Sequence, residues 1–182
     1  DLGLTFADER QPGIDLVLPD PGFIVEHRDD LLAIVLTHAH EDHLGALPYL
    51  WPRLGCPVYA SPFAANLLSR KLDEAGLLDD VPLHVIAADE RLDLGPFAID
   101  FIGVTHSIPE AHSLAIHTAV GSVVHTGDWK LDPGPVVGPL TDAAGFAAVA
   151  EAAPALVCDS TNVLQPGHSG SEADLRPSLL EV

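Results

Sequence analysis

The segment Thr37-His38-Ala39-His40-Glu41-Asp42-His43 places four metal-donor side chains, His38, His40, Asp42 and His43, within six consecutive positions. On extended backbone, residues two apart project to the same side, so His38 and His40 face one way. Asp42 and His43 open the next element and point elsewhere, so one short segment is able to serve two neighbouring ions. Imidazole combined with carboxylate suits zinc or manganese. The alternative, a histidine-rich exposed loop, fits the flanking sequence poorly. Residues 31–36 form an uninterrupted apolar run that reads as a strand buried on both faces, with 37–41 as the loop at its end. Asp42 is placed to cap a helix reaching about Trp51, kinked at Pro48 and stopped by Pro52.

On either side of this segment, short apolar strands alternate with helical patterns. Residues 14–18 read as a strand closed by the turn Pro19-Asp20-Pro21-Gly22. Residues 57–60 read as another strand. Ser61-Pro62 caps and opens a helix with Phe63, Leu67, Leu68 and Leu72 as its apolar stripe and Gly76 as its end. Strands follow over 83–87 and 97–105, and segments 114–120 and 122–126 flank Gly121 as a hairpin. A helix over 141–153, a strand over 155–158 and a polar tail over 165–182 complete the chain, the tail reading as a linker. These elements predict an α/β sandwich of mixed sheets.

Two further donors stand where predicted strands end. His106 follows the strand over 97–105, and Asp128 closes His125-Thr126-Gly127-Asp128 after the hairpin. Gly127 allows the backbone to come close to an ion, and one aspartate is able to bridge two. Strand-end loops gathered at one edge are where α/β folds place their sites. The remaining histidines read differently: His27, His84 and His168 as surface residues, His112 and His117 as core or supporting groups, and His125 as structural.

Composition sets bounds on these readings. At 182 residues and 47% hydrophobic, the chain suits one domain, or a large piece of one, with a real core. The apolar run at 31–36 is the longest aliphatic stretch and far too short to span a bilayer, and the start lacks a leader pattern. Cys56 and Cys158 stand alone, which excludes a disulfide framework or a paired-cysteine metal site. An acid excess giving a net charge of −19 repels polyanions at long range, so charge alone argues against nucleic acid. Methionine is absent, including at position 1, which predicts a processed chain or a piece of a longer protein.

Taken together, His38-x-His40-x-Asp42-His43, His106 and Asp128 resemble the metal-binding motifs of the metallo-β-lactamase fold. The surrounding residues are more specific. Thr37-His-Ala-His-Glu-Asp-His-Leu-Gly45, His106-Ser-Ile-Pro-Glu110, His125-Thr-Gly-Asp-Trp-Lys130 and Asp159-Ser-Thr-Asn162 resemble the ribonuclease J family, in the β-CASP branch of that fold. The resemblance implies an αββα sandwich, here partial: residues 1–164 as the N-terminal portion, and 165–182 as a linker toward a β-CASP domain. It implies that His38, His40 and His106 hold one metal, that Asp42 and His43 hold another, and that Asp128 bridges them. Asp159 then lies beside the site, and Asp1 orients a ligand.

The implied cofactor is zinc, two ions per complete site, with manganese or magnesium as alternatives. The implied activity is 5′-to-3′ exonucleolytic and endonucleolytic hydrolysis of RNA in the cytoplasm, by a homodimer or homotetramer with no membrane partner. The family's glycine-rich strand before Asp1, its β-CASP insertion and its later histidines are not in these residues, so the 182 residues alone are expected to be nearly inactive. Two rival readings remain open at this point. One is a thioester, lactone or β-lactam hydrolase of the same fold; the other is a metal-binding piece that serves only in assembly.

Overall fold

A computed structural model of the chain describes residues 1–87 and 90–180. Positions 88, 89, 181 and 182 lie outside the described residues, the last two belonging to the expected linker. The chain divides into two compact units, Asp1–Ala87 and Ala88–Val182. Among the described residues, no helix is long and apolar enough to cross a membrane.

The first unit opens with the antiparallel pair β1 (Thr5–Phe6) and β2 (Leu16–Val17), followed by α1 (Gly22–Glu26) and a 3-10 turn at Arg28–Asp30. Then come β3 (Ile34–Val35), α2 (Glu41–Leu44), α3 (Leu47–Leu54), β4 (Val58–Ala60), α4 (Pro62–Glu74) and β5 (Leu83–Val85). Strands β3, β4 and β5 form a parallel sheet in that order, with Ile34 opposite Val58 and Val58 opposite Leu83.

The strand expected over 31–36 is shorter than its apolar run. Only the residues facing β4 find ladder partners, Ile34 N–H donating to the Pro57 carbonyl at 2.9 Å and Leu36 N–H to Tyr59 at 2.8 Å. Leu32 is 41% exposed.

The single helix expected from Asp42 is two helices. Asp42 is not its cap: His40, with extended backbone, precedes the first helical residue, and α2 ends at Gly45. Pro48 lies in the first turn of α3, where the missing N–H costs no intrahelical bond, so it starts a helix instead of kinking one. Pro52 lies inside α3, and the helix ends at Gly55, whose φ of +66° a side chain would strain.

Helix α4 follows the sequence closely. The Ser61 hydroxyl accepts the Ala64 N–H and Pro62 opens the first turn. Ala64, Ala65, Leu68 and Leu72 are buried. Leu68 and Leu72 are each worth about 1.5–3 kcal/mol of burial, which fixes this face of the helix. A smaller cluster of Leu4, Ala46 and Leu50, with Leu2, Leu16 and Leu18 against it, ties the first residues of the chain to α3.

The second unit is a five-stranded sheet in the order β10-β9-β8-β7-β6. Its strands are β6 (Leu92–Leu94), β7 (Phe97–Gly103), β8 (His112–Thr118), β9 (Gly121–His125) and β10 (Ala155–Val157). All pairings are antiparallel except β10 with β9, which are parallel and joined through α5 (Ala143–Ala150). Ile102, Ala115 and Val124 form the core, covered by Phe146, Val149 and Ala153.

The hairpin turns at Ala119–Val120, not at Gly121: Gly121, with φ +145°, is the first residue of β9 and pairs with Thr118, and Val120 is 98% exposed at the tip. Strand β6, which the sequence reading lacks, pairs with β7 around Gly95 at φ +56°. The tail is not extended throughout: it carries a 3-10 turn at Glu172–Asp174 and α6 (Leu175–Leu180).

Candidate metal centre

In the first unit, the loop between β3 and α2 carries His38 and His40, and α2 carries Asp42 and His43. The residues at the start of the chain run along α2 and satisfy backbone groups that a short helix leaves open. Leu2 N–H donates to the His43 carbonyl at 2.6 Å, Leu4 N–H to Glu41 at 3.0 Å, and Ala46 N–H to Leu2 at 3.1 Å. Gly3 makes this approach possible, because a Cβ there would lie 1.7 Å from the Asp42 carbonyl oxygen. Lys71 on α4 pairs with Glu41 at 2.5 Å and ties α2 down from another side.

This docking puts the Asp1 carboxylate among the histidines. Its Oδ1 accepts the Thr37 N–H at 2.7 Å and its Oδ2 accepts the Thr37 hydroxyl at 2.8 Å. His43 Nδ1 lies 2.8 Å from the same Oδ2. A carboxylate only accepts, so His43 carries its proton on Nδ1 and presents the Nε2 lone pair, 3.7 Å from Asp42 Oδ2. The single Thr37 hydrogen is committed to Asp1, so the contact from Thr37 Oγ1 to His38 Nδ1, at 3.0 Å, is donated by the imidazole. His38, a fully buried side chain, therefore also offers Nε2 as a lone pair. One carboxylate sets the tautomers of two imidazoles.

In the second unit, His106 follows β7 and Asp128 follows β9. His106 Nε2 lies 3.6 Å from Asp128 Oδ2, with side chains 16% and 28% exposed. Asp128 projects from a pinned turn. Gly127 takes φ +56°, and its N–H donates to His125 Nδ1 at 3.1 Å. The buried Thr126 hydroxyl donates to the Gly127 carbonyl at 2.7 Å and accepts the Asp159 N–H at 2.9 Å. Asp159 is thereby placed beside this turn, on the strand-end next to that of β9. Its Oδ1 receives the Thr161 N–H at 2.9 Å and hydroxyl at 2.7 Å.

A residue outside the sequence expectations organises the same loop. Asp132, with its side chain fully buried, accepts Ser171 Oγ–H at 2.6 Å and Gly134 N–H at 2.9 Å on Oδ1. On Oδ2 it accepts Glu172 N–H and Lys130 Nζ, both at 2.9 Å. The Ser171 hydroxyl and Lys130 beside it hold its carboxyl well below the usual carboxylate range. Its only sequence signal is position, four residues after Asp128, and two of its four donors come from the tail about 40 residues on.

The donor set fits a metal. His38 Nε2 and His40 Nδ1 stand 3.0 Å apart, near enough for both to bind one ion at about 2.0–2.1 Å. Among the described residues, His38 with His40, Asp42 with His43, and His106 with Asp128 each bring ligand atoms within 4.8 Å of one another. The chain thus carries a histidine- and aspartate-rich set of side chains capable of binding metal.

A model of the metallo-β-lactamase superfamily matches residues 4–182. The chain belongs to the metallo-β-lactamase superfamily. It is similar over its whole length to Ribonuclease J of Sinorhizobium meliloti, 49% identical over 183 residues, and to Ribonuclease J of Thermus thermophilus, 41% identical over 190 residues. It spans 32% and 33% of those two proteins, about a third of the length of the curated relatives. Two solved structures share the fold. A protein of unknown function from Enterococcus faecalis aligns with a TM-score of 0.58 at 19% identity, covering 82% of this chain and 38% of that one. The metallo-β-lactamase fold protein YhfI from Bacillus subtilis aligns with a TM-score of 0.53 at 20% identity, covering 79% and 57%. The α/β metallo-β-lactamase fold expected from the motifs is therefore present, as a part of what these relatives contain.

Proposed function

We propose that this chain supplies most of the metal centre of a ribonuclease of the J type, which hydrolyses RNA phosphodiesters. The observation that carries the reading is the Asp1 network, which turns the lone pairs of His38 and His43 outward from a carboxylate anchor. The similarity to ribonuclease J along the whole chain supports RNA as the substrate.

In this reading His38, His40 and His106 hold one divalent ion, Asp42 and His43 hold a second, and Asp128 is shared, with Asp159 alongside. Zinc is the ion the donors suit, with manganese or magnesium as alternatives. A bound pair of ions supplies an acidified water and neutralises charge on the phosphoryl oxygens. Asp1, directly for His43 and through Thr37 for His38, keeps the proton on Nδ1, so that Nε2 of each would be the atom to hold an ion. The Gly127 turn keeps Asp128 at the end of β9. The acidic surface is offset locally by the bound cations, and RNA-contacting basic surface belongs to the other two-thirds of a ribonuclease J-sized protein. Cytoplasmic location and a homodimeric or homotetrameric assembly belong to the same proposal.

The net charge of −19 favours one rival, a hydrolase of thioesters, lactones or β-lactams. The two readings separate in one assay. The protein in its full chain context is incubated with 5′-monophosphorylated and 5′-triphosphorylated RNA, and separately with thioester and lactone substrates. RNA cleavage that prefers the monophosphate, is lost in His40→Ala and Asp128→Ala, and binds RNA less tightly as salt rises supports the proposal. Thioester or lactone cleavage without nuclease activity overturns it. The 182 residues alone are expected to be nearly inactive; robust RNA cleavage by them overturns that part.

A further inference from the structure

We infer that Asp132 is a positioning residue for the His106 and Asp128 donor pair, acting through a clasp that the tail closes. The inference rests on the proposed metal centre. His106 and Asp128 are carried on neighbouring segments joined by an isolated bridge between Thr105 and Lys130. Lys130 N–H donates to the Thr105 carbonyl at 2.8 Å, and the Thr105 hydroxyl donates back to the Lys130 carbonyl. Each partner is within two residues of a donor, so the bridge sets the spacing of the pair.

Asp132 fastens this bridge from behind. Its N–H donates to Thr105 Oγ1 at 3.2 Å, while its carboxylate grips Lys130 Nζ in its own loop and Ser171 Oγ and Glu172 N–H in the tail. The Ser171 hydroxyl oxygen also lies 3.1 Å from the Gly134 carbonyl oxygen, Ala173 N–H donates to that carbonyl at 3.2 Å, and Glu172 Oε2 accepts Val136 N–H at 3.0 Å. Residues 171–174 thus form a second bank of contacts along the loop that begins at Asp128. A buried carboxylate with four donors tolerates little displacement, since loss of any donor leaves part of its charge uncompensated. Rigidity at Asp132 passes through Lys130 and Thr105 to both metal donors.

Co2+ titration of the protein tests this, reading affinity and visible ligand-field absorption. Asp132→Ala is expected to lower Co2+ affinity about tenfold, as loss of a group that orients a ligand does, and to shift the absorption bands. Ser171→Ala, which removes one hydroxyl from a tail position, is expected to lower affinity about threefold. Ser171→Thr keeps the hydroxyl and is expected to restore the original bands. If Asp132→Ala fails to fold, the Ser171 pair decides. Variants that melt earlier yet keep unaltered bands and affinity overturn the inference and leave the metal centre standing. Absence of Co2+ bands in the unsubstituted protein overturns both.

Discussion

In the first unit, four donors lie within six residues, and one carboxylate orients two of them, His43 directly and His38 through Thr37. In the second, His106 and Asp128 are separated by 22 positions (128 − 106), and backbone bridging holds them. The first arrangement is chemical: Asp1, directly and through Thr37, dictates which nitrogen of His43 and of His38 carries the proton. The second is mechanical: register between β7, β8 and β9, a left-handed glycine and the Asp132 clasp fix where a side chain points. Donors close in sequence need their protonation controlled, because the chain already keeps them together. Donors far apart need their positions controlled, because only the sheet brings them near.

Substitution of the donors tests this contrast most severely. In the full chain context, His40→Ala and Asp128→Ala are each expected to reduce the proposed RNA hydrolysis by about 10²–10³-fold, the scale on which single charge-stabilising groups act, with circular dichroism unchanged. A large loss from only one of them breaks the equivalence of the two halves. Next in size is Gly3→Ala. Its Cβ would press on the Asp42 carbonyl, and a loss of about 3 kcal/mol in urea unfolding is expected. Gly103→Ala in β7 meets nothing within 4 Å and serves as the neutral counterpart in the second unit.

Asp1→Asn sharpens the chemical side of the contrast. An amide in place of the carboxylate no longer fixes the His43 proton, and zinc affinity is expected to fall about tenfold by competition with a chromophoric chelator. The smallest effect is one of pH in the second unit. Burial holds the His112 imidazole below its ordinary value, so it stays neutral inside the sheet. The unfolded chain binds that proton more readily, so stability is full above about pH 6.5 and declines on acidification below it. Urea midpoints at pH 7.5 and 5.5 are expected to show this decline, and His112→Gln is expected to reduce it.

The first half of the site was legible because its signal is local. The i, i+2 spacing puts His38 and His40 on one side, and the apolar run at 31–36 marks the strand before them. The Ser61-Pro62 start of α4 was readable for the same reason. Asp42 was misassigned as a cap because the backbone change comes at His40, one residue ahead of α2, a choice made by the docking of Leu2 and Leu4. Pro48 misled because proline marks a helix start as well as a kink, and only Gly45 separates the two cases. Strand β6 and Asp132 were invisible because their partners, β7 and Ser171, give no local pattern. The helical turns within the tail are not legible because they depend on a carboxylate some 40 residues earlier.

The tip of the β8–β9 hairpin offers a practical opening. Thr118 Oγ1 donates to the Gly121 carbonyl and receives Val120 N–H, so the turn is closed by its own side chain, and Val120 faces water. A fluorophore attached through a cysteine at 120, or an affinity handle spliced there, leaves the sheet pairing and the donor loops untouched. That position gives a reporter for watching assembly or ligand capture in solution.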